Sequence, residues 1–175
     1  MLRKRLLIGS CLALLLLAGG AIAAFFIHRS VPIGVEIGML APDFTLRTFD
    51  GEPISLSQFR GRVVLLEFWQ STCPDCRRET PYLDRLYMTY KDRGLVWLGV
   101  NLDHDHDAAR EYLEENGFSE HQITLGESFT AAMEVVSLLD VPLVPYVIVI
   151  DKRGIIRYKG VYPEEPTAPD IEPWL

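Results

Sequence analysis

Cysteine is scarce in this chain: there are three in 175 residues. Cys11 stands alone inside an apolar run and reads as a small buried hydrophobe. Cys73 and Cys76 form a single C-x-x-C, and there is no second pair. A structural zinc site needs four ligands, which this one isolated pair cannot supply. Positive charge is also thin. Arg3, Lys4, Arg5 and Arg29 take four of the 17 Lys and Arg into the first thirty residues, where no acid stands. The rest of the chain holds 13 basic against 24 acidic side chains. Such a surface repels phosphate backbones, so nucleic acid is not an expected partner. Internal repeats and low-complexity tracts are lacking too. The length beyond residue 30 suffices for one domain with a real core, and a second does not fit.

What the first thirty residues do have is a long apolar run. Residues 6–27 carry only Ser10 and Cys11 as polar interruptions. At about 1.5 Å per residue they span roughly 33 Å, enough to cross a bilayer core. Arg3, Lys4 and Arg5 precede the run and hold the N-terminus in the cytoplasm by the positive-inside rule. Ala21-Ile22-Ala23 has the form of a signal-peptide cleavage site, which is the rival reading. The length of the run, and its continuation through Phe25-Phe26-Ile27, favour a retained single-pass anchor in the cell membrane. Both readings place the rest of the chain outside the cytoplasm.

Residues 31–42 read as a linker with the turn formers Pro32, Gly34, Gly38 and Pro42. Short extended segments around Asp50-Gly51 predict a β-hairpin. The apolar runs 63–68 and 95–100 predict strands covered on both faces. Apolar residues at 3–4 spacing predict a helix over 74–93, stopped by Gly94. Further helices are expected over 107–116 and 130–139, and a terminal hairpin around Asp151-Lys152-Arg153-Gly154. This order predicts an α/β fold, a mixed sheet with helices on both faces, over residues 43–161. Residues 162–175 hold Pro163, Pro166, Pro169 and Pro173. A closing helix there is expected to be reduced, or replaced by an extended acidic tail.

The C-x-x-C lies where the strand over 63–68 gives way to a helix. Pro74 suits the first helical position, where a missing N–H loses nothing. Cys73 then meets free backbone N–H groups and the positive end of the helix dipole, which favours its thiolate. Cys76, about one turn on, is more shielded. The arrangement suits one attacking thiol, Cys73, and one resolving thiol, Cys76, cycling through a Cys73–Cys76 disulfide. A purely structural bridge over so short a loop adds little stability.

Several motifs together resemble the thioredoxin superfamily, and within it the TlpA/ResA-like membrane-anchored thiol–disulfide oxidoreductases, which include the cytochrome c maturation thioredoxins. They are Ala41-Pro42-Asp43-Phe44-Thr45-Leu46, Gly51, Leu56, Gly61-Arg62-Val63-Val64, Phe68-Trp69, the Cys-Pro-Asp-Cys run, Arg77, Glu79, Pro81, Pro145, and Asp151 with Gly154. The resemblance implies a thioredoxin fold and no cofactor or metal. It implies that Pro145, rather than the competing Pro142, is the cis-proline facing the cysteines. The backbone of Pro145 and Val144 would then pair with substrate, and Trp69, grouped with them as substrate-binding, would pack beside the site and shield the thiols. Glu67 stands where thioredoxins bury an acid, and Glu79 matches the acid that ResA-like proteins place near the redox pair. A desolvated carboxylate can take the proton from Cys76, and Glu79 is the stronger candidate of the two.

Negative charge on Asp75, Glu67 and Glu79 opposes a stabilised thiolate, while Arg77, Arg78 and the helix dipole favour it. The acids are expected to win, making the protein a reductant. The resemblance implies disulfide-bearing exported proteins as substrates, apocytochrome c foremost. It also implies a DsbD/CcdA-type membrane electron carrier as the partner that recharges the pair. A peroxiredoxin would need Pro at 66 and Thr at 70, where Leu66 and Gln70 stand. A Sco-type copper module would need C-x-x-x-C and a late histidine, and no histidine follows His121. A disulfide oxidase or isomerase is disfavoured by the want of an inserted helical domain. Asp103-His104-Asp105-His106-Asp107 reads as a solvated loop capping the next helix at Asp107.

Overall fold

The computed structural model describes residues 31–126 and 128–175. Among them no helix is long and apolar enough to cross a membrane. The expected anchor at residues 6–27 lies outside the described residues, as does Cys11.

A β-hairpin comes first, β1 (Thr45–Arg47) and β2 (Pro53–Ser55). There follow β3 (Val63–Trp69), α1 (Pro74–Tyr90), β4 (Leu95–Asn101) and α2 (His106–Glu115). The chain continues through β5 (Gln122–Leu125), α3 (Phe129–Leu138), β6 (Tyr146–Ile150), β7 (Ile156–Val161) and α4 (Ala168–Ile171). Five strands form one mixed sheet in the order β5-β4-β3-β6-β7. β3 runs parallel to β4 and antiparallel to β6.

β3 and β4 are buried along their whole length because both faces are covered. The two-residue alternation of a strand divides them. Val64, Leu66 and Phe68 join the core beneath α3 with Ala132 and Val135. Val63 and Leu65 point to the other face, against Leu83, Leu86 and Tyr90 of α1. Glu67 and Trp69 share the parity of Val63 and Leu65, so the one acid in this apolar run is turned toward the helix carrying the cysteines.

Three sequence readings change, and a fourth is decided between its two alternatives. Residues 33–42 dock on the sheet rather than hanging as a linker: the Gly38 N–H donates to the Ile156 carbonyl, the Ile156 N–H to Met39, and the Ala41 N–H to Gly154. β5 was not foreseen. The cap of α2 is Asp105, whose Oδ1 accepts the Asp107 N–H at 3.0 Å, rather than Asp107 itself. The closing helix is reduced to α4 and one 3-10 turn, with Pro169 in the first turn where proline is tolerated. That segment is nonetheless packed. Ile171 is buried against the α1 core, the Tyr82 hydroxyl donates to the Pro166 carbonyl, and Arg157 lies over Trp174.

Candidate active site

Cys73 caps α1 with an extended backbone, and Pro74 begins the helix. The Cys76 N–H donates to Cys73 Sγ at 3.3 Å, one of the orphan donors of a helix start turned onto sulfur. Both cysteines are free thiols; Cys73 is half-buried and Cys76 is 1% exposed. The expected division into an outer and an inner sulfur is therefore present in the reduced form.

The loop before Cys73 is fastened to the end of β4. The Leu102 N–H donates to the Trp69 carbonyl, and the Gln70 amide donates to the Leu102 carbonyl at 2.8 Å. The Ser71 N–H donates to Asp103 Oδ2 at 2.9 Å, and Arg77 Nε returns to the Ser71 carbonyl at 2.6 Å. Asp103 is thus a buried brace, not part of a solvated loop as the sequence suggested. Its signal was hidden in a run of charges. His104 stacks on Phe129 and His106 on Phe49.

Glu67 is 0% exposed and fully engaged. Its Oε2 accepts from Trp97 Nε1 at 3.0 Å and from Gln122 Nε2 at 2.8 Å. Its Oε1 lies 3.3 Å from the Thr80 hydroxyl, which donates at 2.8 Å to the Cys76 carbonyl. Burial, with the nearby Glu79 charge adding, pushes the Glu67 carboxyl up to about 8, against the pull of its hydrogen-bonding neighbours Trp97, Thr80 and Gln122. Burial likewise drives the Cys76 thiol far above the ordinary cysteine range, the adjoining Cys73 and Glu67 adding to it.

Glu79 is also 0% exposed, and neither carboxyl oxygen has a hydrogen-bond partner among the described residues. Burial and then the Glu165 charge push it up to about 7. Its charge bears on Glu67, while the charge of Glu67 bears on Cys76. Glu67, from β3, is thus linked through Thr80 to the Cys76 turn, while Glu79, on α1 itself, makes no hydrogen bond among the described residues. Asp75 turns away to an exposed ion pair with Arg78 at 2.6 Å.

The Val144–Pro145 bond is cis, and Pro145 directly precedes β6. Val144 packs with Cys73 against the cluster of Trp69, Cys76 and Tyr112. Trp69 is 1% exposed and its indole N–H has no partner among the described residues. It lies beneath the thiols as the expected shield and offers substrate no surface, which corrects its place among the substrate-binding residues. From Val144 an apolar groove continues past Leu102, Phe129, Met133 and Leu143.

The Redoxin family pattern matches residues 36–175. The thiol-disulfide oxidoreductase ResA of Geobacillus kaustophilus is 30% identical over 97% of this chain and 94% of its own length. The thioredoxin domain of a thiol-disulfide oxidoreductase from Bacteroides vulgatus is 30% identical, with a TM-score of 0.65 over 73% of this chain and 90% of that one. A thiol:disulfide interchange protein from Bacteroides sp. is 32% identical, with a TM-score of 0.61 over 69% and 78%. With a dithiol at a helix mouth, a cis-proline beside it and this likeness along nearly its whole length, the chain belongs to the Redoxin family, as a TlpA/ResA-like thiol–disulfide oxidoreductase of the thioredoxin superfamily.

Proposed function

We propose that this oxidoreductase reduces disulfides in exported proteins, apocytochrome c foremost, from the outer side of the membrane in which residues 6–27 anchor it. A DsbD/CcdA-type membrane carrier would return its electrons. The observation that carries the reading is the pairing of an accessible sulfur, Cys73, with a buried one, Cys76, that has a protonatable acid behind it.

In the reaction the Cys73 thiolate attacks one sulfur of the substrate disulfide, forming a Cys73–substrate bond and releasing the other substrate sulfur as a thiolate. Cys76 then gives up its proton, which Glu67 accepts. The Cys76 thiolate attacks Cys73, and the second substrate sulfur leaves and is protonated. The substrate disulfide gains two electrons and the Cys73–Cys76 dithiol loses two. Burial keeps the Cys76 thiol protonated until Glu67 takes its proton, and the want of a stabilised thiolate there supports a reductant over an oxidant, whose reduced form is a stabilised thiolate. The groove running on from Val144 suits an extended segment of a protein substrate.

Trapping in cells tests the reading. A full-length Cys76→Ser variant is expected to accumulate mixed disulfides through Cys73 with exported proteins, apocytochrome c among them. Trapping by Cys73→Ser instead would invert the roles, and cytoplasmic partners would overturn the location.

A further inference from the structure

Glu67 on β3 and Gln122 on β5 are separated by a whole strand, about 10 Å at ordinary sheet spacing. They nevertheless meet at 2.8 Å. Gly99 is the reason: it pairs with Glu67 on one side and with Thr124 on the other. A Cβ at Gly99 would come within 2.2 Å of Gln122 Oε1, so the Gln122 amide occupies the space a side chain would need. Gln122 is 5% exposed, and a buried amide is held only where its bonds are made. Its orientation is set from behind, because Oε1 accepts the Thr124 hydroxyl at 2.9 Å, leaving Nε2 to donate to Glu67.

We propose that Gln122 is a positioning residue for proton transfer in the resolving step, reaching through the notch at Gly99 to hold the Glu67 carboxyl toward Cys76. This rests on the reading of Glu67 as proton acceptor. With Trp97, Gln122 pins Oε2 and leaves Oε1 to the Thr80 side, where α1 carries Cys76. The titratable groups that bear on Glu67 are Cys76 and Glu79 from α1 and Tyr112 from α2. β6 presents Val147 opposite it, and β4 presents Trp97 and Gly99, none of them titratable. Gln122 is thus a neutral donor among groups that press on Glu67, and donation to a carboxylate favours the charged, proton-accepting form.

Stopped-flow reaction of the reduced protein with a chromogenic aryl disulfide separates the steps: first release reports attack by Cys73, second release reports resolution by Cys76. Gln122→Met keeps the length and removes the donor. It is expected to move the pH midpoint of the second phase upward by about one pH and leave the first phase unchanged. Thr124→Val, which frees the amide to turn, should move it the same way by less, and carries the test if Gln122→Met does not fold. Glu67→Gln should abolish that pH dependence, and adding Gln122→Met to it should change nothing more. If Glu67→Gln flattens the profile while the Gln122 and Thr124 variants leave the midpoint in place, Gln122 has no such role. If Glu67→Gln leaves the profile intact, the underlying reading of Glu67 fails and this proposal with it.

Discussion

Asp103 accepts the Ser71 backbone N–H at 2.9 Å through the same Oδ2 that takes the Asn101 amide. That one buried oxygen ties the loop leading into Cys73 to the end of β4. Replacing Asp103 by Ala leaves a buried N–H without an acceptor and is expected to lower stability by about 1–3 kcal/mol. Attack by Cys73 should slow as well. Asp103→Asn keeps an acceptor and should recover most of both. Urea unfolding of the reduced proteins measures this, and an Ala variant as stable as wild type removes the brace.

The two buried acids set a pH dependence. Both carboxyls sit higher in the folded protein, at about 8 for Glu67 and about 7 for Glu79, than the ordinary 4.5. Between those limits the folded state holds more protons than the unfolded chain. Each group therefore lowers stability by about 1.4 kcal/mol per pH as pH rises through its window, and adds no penalty below about 4.5. The Glu67→Gln/Glu79→Gln double variant should lose stability less steeply than wild type from about pH 5 to about pH 8. Parallel curves would contradict burial as the cause.

The segment after β7 supports α1 from outside. Ile171 is wholly buried against Leu83 and Leu86, and Ile171→Ala is expected to lower stability by about 2–5 kcal/mol. The Tyr90 hydroxyl donates to Glu172 Oε1 at 3.0 Å in a half-open setting, so Tyr90→Phe should change stability by less than about 1.5 kcal/mol. Denaturant midpoints of the two variants check the ranking, which an exposed tail would reverse.

The parts legible in sequence were those written as long patterns. The apolar runs of β3 and β4, the helical spacing of α1, and Pro74 after Cys73 each state their element in adjacent residues. β5 was missed because Gln122-Ile123-Thr124-Leu125 is four residues long and half polar, and its polar members are buried by the bonds from Thr124 to Gln122 and from Gln122 to Glu67, which no local pattern announces. Asp103 was lost among neighbouring charges for the same reason: its role depends on Ser71, 32 residues earlier. The rank of the two acids required knowing that Thr80 joins Glu67, not Glu79, to the Cys76 turn.

The reductant reading predicts a potential for the Cys73–Cys76 couple close to the thioredoxin value of about −270 mV. Equilibration with dithiothreitol buffers, read by alkylation of the remaining thiols, measures it. A value near the DsbA figure of about −120 mV would reverse the direction of electron flow.

The central claim is the inequality between two sulfurs, Cys73 at the helix mouth and Cys76 held protonated behind it. Residue-resolved iodoacetamide alkylation of the reduced protein, followed by mass spectrometry across a pH series, tests it directly. The account predicts modification of Cys73 at least about tenfold faster than Cys76 throughout, since the thiolate is the nucleophile. Equal rates, or a faster Cys76, would contradict it.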